Sequence, residues 1–122
     1  MFVGVLRLVL QIPSARSLKD RRRVVRSFKD RVQSKLRVSI AEVGGLDQYQ
    51  RAVLGVAAVS IDASRVDELL SAAASMAGGL RDALLVDRSI EILPFGDEGT
   101  GVGGGRSHVE TLDDWDSDEL ER

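Results

Sequence analysis

Within its first 36 residues the chain changes hydrophobic period once, and the change falls at a proline. Residues 2–12 alternate, with Phe2, Leu6, Leu8, Leu10 and Ile12 on one face and Val3, Val5, Arg7, Val9 and Gln11 on the other, which is the two-residue period of a strand. Pro13-Ser14 interrupts the pattern. From Ser17 to Leu36, the residues Leu18, Val25, Phe28, Val32 and Leu36 fall on one stripe at about 100° per residue, the signature of a core-facing helix. A strand joined by so short a break to an amphipathic helix packs with it as two layers around one core.

The remaining segments extend this start into a definite order. A second strand fits Arg37 to Val43, Gly44-Gly45 with Asp47 and Gln48 marks a loop, and Ala52 to Ile61 reads as a third strand of small and β-branched residues. The two are expected to pair as an antiparallel hairpin. Asp62 or Ser64 can cap a second helix running to about Met76, with Val66, Leu69, Leu70 and Ala73 on its inner stripe and Gly78-Gly79 at its end. A last strand fits Ala83 to Leu93. The order βαββαβ is that of the α+β, ferredoxin-like sandwich, a four-stranded antiparallel sheet with two helices on one face. Its other face would carry Val3, Val5 and Val9, an apolar surface too large to leave wet, so these three valines are candidate contacts of a homodimer or of the chain's own tail.

Length and charge set the domain plan. The 122 residues suit a single domain, residues 1–93, followed by a Gly-rich linker and acidic tail over residues 94–122. Residues 1–93 carry a formal charge of +5 and residues 94–122 one of −7, so the near-neutral total conceals a basic domain and an acidic appendage. Gly96, Gly99, Gly101 and Gly103 to Gly105 give the linker its flexibility, and Leu112, Trp115 and Leu120 punctuate the acids beyond it as a candidate partner peptide. With no cysteine there is no disulfide, thiolate nucleophile or cysteine metal site. No apolar run approaches the 18 residues of a membrane span, and the start Met1-Phe2-Val3-Gly4 lacks a signal-peptide pattern. The expectation is a cytoplasmic protein that touches no membrane.

The chemistry concentrates in Ser17-Leu18-Lys19-Asp20-Arg21-Arg22-Arg23-Val24-Val25-Arg26, where a helix start runs into a block of positive charge. Ser17 caps the first turn and Asp20 answers it as a short-armed capping box. Ten Lys/Arg against two acids between Arg16 and Arg37 exceed what pairing along the helix can neutralise. Lys19, Arg21, Arg22, Arg23 and Arg26 are therefore candidate contacts to a nucleic-acid backbone, against the plainer reading of a solvated helix face. Arg21 differs from its neighbours because helical spacing puts it inside the apolar stripe, as a snorkelling side chain or a specific contact to a carboxylate or anion at the sheet edge.

Other constellations read as structural. The two central strands lack the aromatic residues that stack bases on an RNA-recognition sheet. Glu42 and Arg51 fit a cross-strand ion pair better than acid–base machinery. His108 stands without a second ligand pattern, and the tail glycines lack the Lys-Ser/Thr of a phosphate loop. No catalytic residue, cofactor or metal is expected.

The opening strand, Ser17-Leu18-Lys19 followed by Arg22 and Arg26, then Ala41-Glu42-Val43, Tyr49-Gln50-Arg51-Ala52, Gly55-Val56 and Ser60 together resemble the YlxP family of small bacterial proteins of unknown function, over roughly residues 1–93. The resemblance implies a ferredoxin-like fold and, through the translation and ribosome-maturation genes among which the family's genes are often found, an association with RNA. It assigns no catalytic residues. Tyr49 stands where a Trp is common, Ile61 where a small or amide residue is usual, and the tail is an addition. The expected function is a non-enzymatic, RNA- or ribosome-associated binding protein acting through its first helix. The alternative is an oligomeric regulatory or adaptor protein that engages a protein partner through the sheet face or the Trp-containing tail.

Overall fold

The computed structural model describes residues 1–96. Its elements run β1 (Phe2–Gln11), α1 (Leu18–Lys35), β2 (Ser39–Gly44), β3 (Arg51–Ser60), α2 (Ala63–Gly78) and β4 (Leu84–Pro94). The sheet order is β2-β3-β1-β4, antiparallel throughout, with the two helices on one face: the ferredoxin-like sandwich that the periodicity predicts. Of the linker and tail expected over residues 94–122, Pro94 closes β4, and residues 97–122, with His108, Leu112, Trp115 and Leu120, lie outside the described residues.

Alternation along β1 sorts the two faces. Leu6, Leu8, Leu10 and Ile12 are fully buried, and they share the helix layer with Leu54 and Val56 of β3, Phe28 and Val32 of α1, and Val66 and Leu70 of α2. Gly4 is the point of closest approach between sheet and α2. A Cβ there would stand 2.3 Å from Val66 Cγ1 and 2.8 Å from Leu70 Cδ1, so only glycine lets the helix lie so near. In the β2–β3 connection, Gly45 adopts a φ of +71°, a conformation open to glycine at little cost.

Among the described residues nothing covers the opposite face. Val5 pairs with Ala57 and Glu91, Val3 with Val59 and Leu93, and Arg7 with Gly55 and Ser89, so these residues project together away from the helices. Val5, Val43, Val59 and Leu93 are each about half exposed or more. Val9 corrects the expectation drawn from parity: it is buried, and so is Val53 opposite it. Irregularities flank this row on both sides, between Val9 and Leu10 against β4 and between Glu42 and Gly44 against β3. With Val9 buried, Val3 and Val5 are the interface candidates on β1.

Candidate nucleic-acid interface

The basic helix is fixed at its start by local chemistry. Ser17 is extended (φ −160°, ψ 167°) and its Oγ accepts the Asp20 N–H at 3.1 Å, satisfying one of the amides left over at a helix start. The Asp20 carboxylate reaches back to the Arg16 N–H at 2.9 Å, one residue earlier than in a Glu-based capping box. The connection leading in is held as well: Gln50 Nε2 donates to the carbonyls of Pro13 (3.1 Å) and Ala15 (3.2 Å), and the Ile12 N–H donates to the Gln50 carbonyl at 2.9 Å. The β2–β3 loop thereby positions the first turn of α1.

Of the five basic candidates, the structure separates one from the rest. Arg21 is 2% exposed. Its Nε donates to the Arg51 carbonyl at 2.8 Å and its Nη2 lies 2.7 Å from Glu42 Oε1. That last approach is a close ion pair whose angles fall outside hydrogen-bond geometry, and neither atom has another hydrogen-bond partner. Arg21 is therefore a clamp between α1 and the β2–β3 hairpin and cannot reach a phosphate. Of its two sequence readings, the carboxylate contact at the sheet edge is the one observed. Glu42 is accordingly paired with Arg21 and not with Arg51, because the register sets Glu42 opposite Leu54.

Lys19, Arg22, Arg23 and Arg26 are exposed and together. At spacings of three and four residues they form one row, about 10 Å long at 1.5 Å per residue, and with Ser27 and Asp30 they border an open groove along the helix. Among the described residues the ion pairs are Arg7–Asp87, Arg21–Glu42 and Arg65–Glu68, so no carboxylate there takes up the row's charge. A cleft of about 160 Å³ opens beside the row, between α1 and β2, lined by Arg22, Val25, Arg26, Lys29 and Glu42. Lys29 was missed in the sequence reading although its spacing, three residues beyond Arg26, is the signal that places it there.

The row runs along the first half of α1. The N-terminus of a helix carries about half a positive charge, an effect that fades within the first turn, where a cation costs about 0.3–1 kcal/mol and an anion stabilises. That turn holds Lys19 of the row and, beside it, Asp20. Among the described residues there is no group of three His, Cys, Asp or Glu placed to hold a metal ion, and no helix is long and apolar enough to cross a membrane.

Comparison with known proteins adds the family. Residues 3–90 match the model of a family described as a protein of unknown function, DUF503. The chain belongs to that family. It is similar to the uncharacterized protein YlxP of Bacillus subtilis (strain 168), with 49% identity over 49 residues. That alignment covers 40% of this chain and 53% of the relative, so the matched part spans about half the relative's length. Both matches agree with the resemblance to the YlxP family, and the family's description names no activity.

Proposed function

We propose that this chain is a non-enzymatic binding protein that engages RNA or an RNA-containing particle such as the ribosome through the exposed face of α1. One observation carries the reading: Lys19, Arg22, Arg23 and Arg26 form an exposed row along the first half of a helix, without carboxylate partners among the described residues. A solvated face built for stability alone would intersperse acids at the three- and four-residue spacings where they pair with such cations. The binding is electrostatic and indifferent to base sequence, since phosphate contacts fix position and carry no sequence code. On this reading the protein works in the cytoplasm, where ribosomes are found.

The test is the salt dependence of binding to a single-stranded RNA. Four phosphates neutralised predict a slope of about −3 in log affinity against log salt. Reversing Arg22, Arg23 and Arg26 to Glu together should lower affinity at least a hundredfold and flatten the slope, with an unchanged circular dichroism spectrum. A triple variant that holds RNA as tightly as the wild type would sink the proposal.

A further inference from the structure

The helix face explains one layer of the molecule and leaves the other without a role. Across the open side of the sheet, Val3, Val5, Val43, Val59 and Leu93 surround the small residues Ala57 and Gly55, and a shallow depression of about 280 Å³ lies between Val5, Ala41, Val43 and Ala57. Four strands at about 4.8 Å spacing, β2 of 6 residues and the others of 10 or 11, present about 600 Å² of sheet. Two such faces together reach about 1,200 Å², the lower bound of a stable specific interface.

Charge selects the occupant. Arg7 stands near the middle of this face, 3.4 Å from Asp87 of its own chain, Glu91 stands along β4 on the same side, and Arg51, opposite Gln11 in the register, adds a second base at the hairpin end, so the face carries two acids and two bases. RNA is disfavoured there by the two acids and by the lack of aromatic side chains on this side of β1 and β3. The chain's own residues 97–122, rich in Asp and Glu, match a face that carries both signs less well than a copy of that face does. A second copy is the complementary partner. A twofold axis sets apolar centre against apolar centre and brings the Arg7–Asp87 pair and Glu91 of each chain against those of the other, extending the pair into a network made twice.

We infer that the open sheet face is the interface of a homodimer, formed by two sheets stacked face to face at the ~10 Å separation of β-sandwich layers. The inference is independent of RNA binding, because the basic row lies on the opposite layer. Sedimentation equilibrium of the full chain between about 1 and 100 μM, the range of a dissociation constant of moderate strength, should give twice the 13.2 kDa chain mass. Val5→Lys and, separately, Val59→Lys should each weaken dimerisation at least tenfold while retaining the circular dichroism spectrum and RNA retention. A chain bearing Arg7→Glu and a chain bearing Asp87→Lys with Glu91→Lys should each dimerise poorly alone and recover a dimer when mixed, since only the mixed pair opposes unlike charges at both copies of the contact. A wild type that is monomeric at 100 μM overturns the inference. So does a dimer indifferent to both valine substitutions, which would place the contact at the β4 edge, or a mixture that fails to recover.

Discussion

The two helices share a sheet face and differ in nearly everything else. α2 buries Val66, Leu69, Leu70, Ala73, Ala74 and Ala77, six of its 16 residues, and lies so near β1 that Gly4 has room for no side chain. α1 buries only Arg21, Val25, Phe28 and Val32 of its 18, and one of those four is an arginine that needs Glu42 and the Arg51 carbonyl to be tolerated there. A helix that spends so few positions on the core keeps the rest for solvent or a partner. The contrast teaches where selection for packing ends: α2 is a fastener, and α1 is a display surface standing on a narrow foot.

That division makes α1 depend heavily on single anchors. Phe28→Ala should produce the largest loss, about 3–5 kcal/mol by urea unfolding, since a fully buried aromatic leaves a cavity that the three other anchors cannot close. A loss below about 1 kcal/mol would show that α1 collapses onto the sheet without it and is less narrowly held than described. Arg21→Met should cost about 2–3 kcal/mol, below the full penalty for orphaning a buried charge because Glu42 retains some access to water. The exposed neighbour separates foot from display: Arg22→Ala should stay within about 0.5 kcal/mol of wild type, and equal effects at positions 21 and 22 would erase the distinction. On the α2 side, Gly4→Ala should destabilise by about 1–3 kcal/mol, because the stiff, β-branched Val66 must give way. A neutral outcome there, with the melting temperature unchanged, would mean that α2 is as loosely seated as α1.

What could be read from the sequence follows from the range of the interactions involved. The element order, the Ser17 cap and the sorting of β1 into Leu and Val faces are local or strictly periodic, and all are found in the structure. Arg21 was conspicuous as a cation on an apolar stripe, but its partner lies 21 positions away on β2 and depends on the register around the Glu42–Gly44 irregularity, which no local pattern encodes. Val9 keeps the parity read from the sequence, opposite Val53 and Asp87, and is nonetheless buried, which alternation along one strand does not encode. The basic row was legible as charge; that it stands without carboxylate partners among the described residues is a fact of the fold, as is the cleft it shares with Lys29.

The sheet order also bears on how the chain comes to be folded. β1 is made first, yet it is a central strand, and its neighbours are β3 and β4: Phe2 pairs with Ser60 on one side and Pro94 on the other. At a synthesis rate of about 5–20 residues per second, the far end of β4 follows β1 by roughly 5–20 s. Throughout that interval, ten residues of strand with apolar side chains on both faces have no complete set of neighbours, and such long-range pairing is intrinsically slow to form. The last strand to emerge therefore closes the domain, and a ribosome stalled before residue 84 would hold a chain whose first strand is still open along one edge.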